Sequence, residues 1–93
     1  MPTSEEAYLS IQQHRNCIDE IDAQLVDLLN RRAMESLAIR AMKPDAHMGL
    51  YDPKREEEIF QRVDGLNKGP LYNDNLREIY ASILKVSKEM PSL

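Results

Sequence analysis

EEAYLSIQQHRNCIDEIDAQLVDLLNRRAMESLAIRAMK, residues 5–43, contains neither proline nor glycine. In a chain of 93 residues it predicts one helix occupying over a third of the length. Ile11, Ile18, Leu25, Leu29 and Ile39, with Leu28 beside them, fall on a stripe of alternating four- and three-residue steps. Such a stripe lines one face of a helix. The same stripe carries Arg15, Asp22, Arg32, Ser36 and Lys43. Charges on a buried seam are costly unless something pairs with them. Either this seam is not buried, or its cations await an anion.

Helix geometry narrows the choice. Arg32 and Lys43 end up about 20° apart around the helix and about 16 Å apart along it. Both side chains are long enough to lean into one pocket. Arg15 lies about 25 Å from Arg32 and is turned by roughly 100°, so one straight helix cannot bring it to that pocket. A second, antiparallel copy of the helix would.

Outward from this stretch the punctuation is clear. Ser4, followed by Glu5 and Glu6, reads as the N-cap of the long helix, with acids where the helix dipole favours them. Pro44 ends the helix near Lys43, because a residue before proline avoids the α region. Residues 44–51 read as a loop. Asp52 and Pro53 restart a helix as N-cap and first residue. Ile59, Phe60, Val63 and Leu66 supply its apolar face, and the Asn67-Lys68-Gly69-Pro70 run stops it. A third helix, over about residues 72–90, carries Leu76, Ile79, Tyr80, Ile83 and Leu84 on one side, then Ser87, and stops near Pro91. The expected fold is all-α, one long and two shorter helices in a single domain of residues 1–93.

Composition agrees. Charged residues make up 30% and aromatics 5%, with no Trp, so a monomer would have a thin core and oligomerisation is the natural remedy. Scarce Val and Thr argue against a sheet. A net charge of -4 gives no support to nucleic-acid binding. No apolar run reaches membrane length, and residues 1–10 show no signal-peptide pattern. Cys17 is the only cysteine, which excludes an internal disulfide and suits the cytosol. His14 and His47 have no metal-ligand spacing. No Ser-His-Asp set, Cys-His pair or glycine-rich phosphate loop is present.

The chemistry therefore rests on cations and hydrogen bonds. Arg55 and Glu56 fall in the first turn of the second helix, beside backbone N–H groups that favour anions. Glu56 can accept from a hydroxyl and Ser87 can donate. With Arg15, Arg32, Lys43 and Arg55 as cations, these residues suit a small dianion that carries a hydroxyl. Arginine grips a carboxylate through a planar fork, whereas lysine supplies a point charge. Each residue also has a plainer role. Arg31, Arg32 and Arg40 fit solvated helix charges, and Arg55 with Glu56 and Glu57 fits a surface ion-pair cluster of little energetic weight. Asp52 is a helix cap either way, and Ser87 fits an exposed helix position. Spacing alone reaches a helical dimer with an anion pocket, and no further.

The order of the pieces carries a resemblance. Arg15-Asn-Cys-Ile-Asp-Glu-Ile-Asp22, Leu28-Leu29-Asn-Arg-Arg32, Lys43, Tyr51-Asp-Pro-Lys-Arg-Glu56, Asn67-Lys-Gly-Pro-Leu71 and Ser87 together resemble the all-helical chorismate mutases over about residues 8–90. The Asn-Lys-Gly-Pro-Leu run looks most like the mutase domain at the front of bifunctional chorismate mutase–prephenate dehydratases. Leu93 falls about where an attached dehydratase domain would be joined. The resemblance implies the type II mutase fold, an intertwined homodimer with two sites, and conversion of chorismate to prephenate without metal or cofactor. It implies that Arg15 acts in trans on the partner's site, while Arg32, Lys43, Asp52, Arg55, Glu56 and Ser87 serve their own protomer's site. Arg15, Arg32 and Lys43, assisted by Ser87, would hold the two carboxylates. Glu56 and the backbone near Asp52 would hold the ring hydroxyl, Lys43 would donate to the ether oxygen, and Arg55 would complete the charge network.

Two positions depart from the family pattern. Pro91, which cannot donate, stands where the family usually has Gln or Glu as a second partner for the ether oxygen. Arg40 stands where many relatives have Gly. Two other functions stay open at this stage. One is isochorismate-pyruvate lyase, on the same fold with a similar cationic pocket. The other is a non-catalytic helical dimer that regulates an attached enzyme, which the missing donor at position 91 favours.

Overall fold

The computed structural model describes residues 1–49 and 51–91. Leu50, in the expected loop, and the last two residues, 92–93, lie outside the described residues. The elements are α1 (Ser4–Met42), α2 (Pro53–Leu66) and α3 (Asn73–Glu89). No strand occurs among the described residues, so the fold is all-α, one long and two shorter helices. By packing, the chain divides into two units, Met1–Glu35 and Ser36–Leu93.

The first unit is most of α1. Its cap is Thr3 rather than Ser4: the Glu6 N–H donates to Thr3 Oγ1 at 3.1 Å, and the Ala7 N–H to the Thr3 carbonyl at 2.9 Å. A capping oxygen serves an N–H two or three residues on, and with Glu6 served, Ser4 becomes the first helical residue. No residue of α1 is buried. On the apolar stripe, Ile18 is 54% exposed, Leu25 49% and Leu29 44%. So many exposed large apolar side chains on one helix suit a surface that is covered by a partner.

The second unit holds the end of α1 with α2 and α3. Beyond Met42 the chain turns: the Met48 N–H donates to the Lys43 carbonyl at 2.9 Å and the His47 N–H to the Pro44 carbonyl at 3.1 Å. His47 adopts a φ of 56°, which few residues with a side chain take. Asp52 then caps α2, its Oδ1 accepting from the Arg55 N–H at 3.0 Å, with Pro53 opening the helix. At the far end, Asn67 builds the turn. Its Nδ2 donates to the Leu71 carbonyl and to Asn73 Oδ1, both at 2.8 Å, and its Oδ1 accepts from the Gly69 N–H at 3.0 Å. Gly69 takes a φ of 75°, a conformation that its missing Cβ permits.

α2 and α3 pack antiparallel. Val63 and Leu84, each 7% exposed, form the centre of the contact, with Ile59, Phe60, Leu76, Tyr80 and Ile83 half-buried around them. Ion pairs close both ends. Arg77 meets Asp64 at 2.7 Å where α2 ends and α3 begins, and its guanidinium also lies 5.5 Å from the centre of the Phe60 ring. Lys88 meets Glu56 at 3.2 Å where α3 ends and α2 begins.

Hydrogen bonding from Arg77 holds the Asp64 carboxyl below its ordinary range; desolvation opposes the shift and the Arg77 charge adds to it. A carboxyl depressed on folding stabilises above its unfolded pKa, and that stability is lost as pH falls through the folded pKa. Asp64→Asn should therefore lower the melting temperature slightly at neutral pH, and the difference should vanish in acid below the ordinary carboxylate range. Thermal melts of both proteins across pH check this; a gap that persists undiminished in acid would contradict it.

Candidate active site

Antiparallel packing of α2 on α3 sets the first turn of α2 beside the last turn of α3. Glu56, in that first turn, is half-buried, with its side chain 24% exposed. Its Oε2 and Oε1 accept from Lys88 Nζ at 3.2 and 3.4 Å. The same ammonium lies 5.1 Å from the centre of the Tyr51 ring, at cation–π range. Tyr51, Glu56 and Lys88 thus tie the end of the loop, α2 and α3 together. Ser87, one residue before Lys88, is half-buried. Its carbonyl accepts from Arg40 Nη2 at 2.5 Å, and Arg40 Nη1 donates to the Met90 carbonyl. Lys43 follows Arg40 by three residues, is half-buried, and extends the helical pattern through its N–H to the Ile39 carbonyl at 3.0 Å.

The expected site residues divide between the two units. Lys43, Asp52, Arg55, Glu56 and Ser87 belong to the second; Arg15, exposed, and Arg32, half-buried, belong to the first. Asp52 uses one carboxylate oxygen as the α2 cap. Arg55 is exposed and pairs with Glu58 at 3.6 Å, a surface contact of small weight. The shallow notch of about 320 Å³ lined by Val63, Leu66, Asn67, Pro70 and Leu71 lies at the other end of the α2–α3 hairpin, away from Glu56 and Ser87.

Lys88, Tyr51 and Arg40 were not among the expected contacts. Lys88 had a signal: two helices of 14 and 17 residues joined by a short turn must set the start of one against the end of the other. Arg40 stood out only as an arginine where many relatives have glycine; rather than a solvated helix charge it is half-buried, and its partners, main-chain carbonyls 47 and 50 residues away, left no mark in the sequence. Chemically, the second unit offers the Glu56 carboxylate, the Ser87 hydroxyl, and the cations Lys43, Lys88 and Arg40, the last two held by hydrogen bonds. Among the described residues no three His, Cys, Asp or Glu side chains cluster as metal ligands. No described helix is long and apolar enough to cross a membrane.

Known proteins resemble the chain over most of its length. The family profile "Chorismate mutase type II" matches residues 14–91. The bifunctional chorismate mutase/prephenate dehydratase of Neisseria gonorrhoeae is 38% identical over 71 residues, 76% of this chain and 19% of that protein. The protein of the same description from Aquifex aeolicus is 35% identical over 78 residues, 80% of this chain and 22% of its own length. The chain thus spans about a fifth of these relatives. Among solved structures, chorismate mutase (form II) of Thermus thermophilus superposes with a TM-score of 0.84 at 28% identity, over 90% of this chain and 99% of that one. Form I of the same protein gives a TM-score of 0.81 at 29% identity, over 84% and 98%.

The Asp52 cap makes a stability prediction independent of ligand. Asp52→Ala removes the acceptor for the Arg55 N–H and should cost about 1 kcal/mol. Urea unfolding should show a lower midpoint at unchanged slope; an unmoved midpoint would mean that the cap contributes nothing.

Proposed function

The chain belongs to the chorismate mutase type II family, and from that premise we propose that it rearranges chorismate to prephenate. One observation supports the proposal: the family match spans residues 14–91, a range that includes the proposed site residues Arg15, Arg32, Lys43, Asp52, Arg55, Glu56 and Ser87.

The reaction suits such a residue set. It is an intramolecular Claisen rearrangement: the ether carbon–oxygen bond breaks as a carbon–carbon bond forms, and no proton moves. No nucleophile or general base is required. Catalysis comes from holding the enolpyruvyl arm over the ring in a near-attack geometry and from fixed positive charge where negative charge grows on the ether oxygen. Arg15, Arg32 and Lys43, with the Ser87 hydroxyl, bind the two carboxylates. Lys43 also donates to the ether oxygen, an interaction of a kind typically worth about 3–4 kcal/mol of the barrier. Glu56 and the backbone near Asp52 take the ring hydroxyl, and Arg55 adds to the positive field. The lone exposed Cys17 fits a reducing compartment such as the cytosol.

Arg15 completes the site from the other subunit of a homodimer. Two features support this. The apolar stripe of α1 is exposed in the single chain and calls for a second copy. Helix geometry keeps Arg15 about 25 Å from Arg32 within one protomer.

Purified protein should abolish the absorbance of chorismate and yield prephenate, with EDTA making no difference. Salicylate and pyruvate from isochorismate would instead identify a lyase, and binding without turnover a regulatory dimer. Sedimentation should give a dimer mass.

Arg15→Ala and Arg32→Ala should each be almost inactive. Unfolded together and refolded as an equal mixture, half of the dimers should be mixed, each with one site bearing both changes and one bearing neither. About a quarter of wild-type activity should return, by two-fold symmetry. Mixed dimers seen by mass spectrometry without returning activity would rule out the shared site.

A further inference from the structure

The end of α3 is stopped and held by two separate residues. α3 ends at Glu89, and Met90 leaves the helix with φ −63° and ψ 136° while its N–H still donates to the Val86 carbonyl at 3.1 Å. In a continuing helix the Ser87 carbonyl would accept from the N–H of residue 91. Pro91 has no N–H, and its ring keeps Met90 out of the α region, as the ψ of Met90 shows. Carbonyls at a helix end take donors from elsewhere. Here one donor comes from another helix: Arg40, near the end of α1, sends Nη2 to the Ser87 carbonyl at 2.5 Å and Nη1 to the Met90 carbonyl. The two prongs bracket the stop, one on the last turn and one on the cap.

We propose that Arg40 is a positioning residue: it supplies from α1 the donor that Pro91 withholds from the Ser87 carbonyl, and so fixes the last turn of α3 and the Ser87 hydroxyl that turn carries. The role of Ser87 in binding rests on the mutase reading above; the coupling of Arg40 to Pro91 rests on the hydrogen bonds alone. Three observations support the proposal. Arg40, Ser87 and Met90 are all half-buried, so water competes less for these bonds than at an exposed pair. A guanidinium at a helix C-terminus also meets the partial negative charge of the last carbonyls. Lys43 follows Arg40 by three residues, on the neighbouring turn of the chain, so one contact steadies the backbone under both Lys43 and Ser87. Arg40 and Pro91 therefore act on the same group, the Ser87 carbonyl, one by donating to it and the other by lacking an N–H for it. A lysine at 40 has the charge without the planar fork and cannot bracket the stop in the same way.

The test is a double-mutant cycle of Arg40→Ala and Pro91→Ala, with Arg40→Lys beside it as a milder change that keeps the charge and stem. Two quantities are read in each protein: hydrogen-exchange protection of the amides of residues 87–90, and the kinetic constants for chorismate. Arg40→Ala should lose about tenfold in protection and about tenfold in kcat/KM, mostly through KM, the scale of one hydrogen bond to a charged group. Arg40→Lys should fall between. Adding Pro91→Ala to Arg40→Ala restores a backbone donor to the Ser87 carbonyl and should bring protection and KM back to within about threefold of wild type. Wild-type protection in Arg40→Ala, or losses in the double variant that simply add, would overturn the proposal. Wild-type protein that does not turn over chorismate would sink the mutase reading alone, because exchange at the end of α3 is measured without substrate.

Discussion

The packing of α2 against α3 is the contact on which the rest of the second unit depends. Its apolar centre is small, with only Val63 and Leu84 buried among the described residues. Polar contacts at the ends compensate by setting register: Asp64 with Arg77 at the turn, Glu56 with Lys88 at the open end. Such pairs contribute modestly to stability. Their geometric consequence is larger. Fixing both ends of an antiparallel pair leaves one register, and in it the first turn of α2 faces the last turn of α3. Glu56 is thereby held by Lys88, the residue next to Ser87, although Glu56 and Ser87 stand 31 positions apart in the chain.

The long helix obeys a different constraint. Its part up to Glu35 belongs to a unit of its own, Met1–Glu35, in which Ile18, Leu25 and Leu29 stay about half exposed. Full burial of such a side chain contributes about 1.5–3 kcal/mol, and about half of that is left unrealised in one chain. The charges on the same stripe, Arg15, Asp22 and Arg32, explain why the surface is not simply a core waiting to close. A seam that mixes Ile and Leu with Arg and Asp is costly to bury as an apolar core.

Polar contacts also explain how the open end of the hairpin is kept in order. Proline stops α3 by removing a donor; arginine restores one from another helix. The Ser87 carbonyl in the last turn of α3 is consequently held by a side chain of α1, while the Met90 N–H keeps its backbone bond to the Val86 carbonyl. Ser87 thus takes a hydrogen bond from a residue outside the set proposed to bind substrate.

Much of this was legible in the amino-acid order, because it depends on short-range rules. The absence of Pro and Gly from residues 5–43, the Asp52-Pro53 start and the Asn-Lys-Gly-Pro stop delimit helices through local dihedral and capping preferences that need no partner. Their order also carried the family likeness, and with it the candidate set from Arg15 to Ser87. The cap of α1 was misplaced by one residue, since Thr3 and Ser4 offer equivalent hydroxyls and only the geometry at Glu6 selects between them. What tertiary structure alone decided is which groups meet across the hairpin. Lys88 on Glu56, Arg77 on Asp64 and Arg40 on the Ser87 carbonyl join positions 13 to 47 residues apart. No periodicity records such pairings, because a charged side chain on an exposed helix face looks the same in the sequence whether it ends in water or on a neighbouring helix. Only the register of packed helices distinguishes the two.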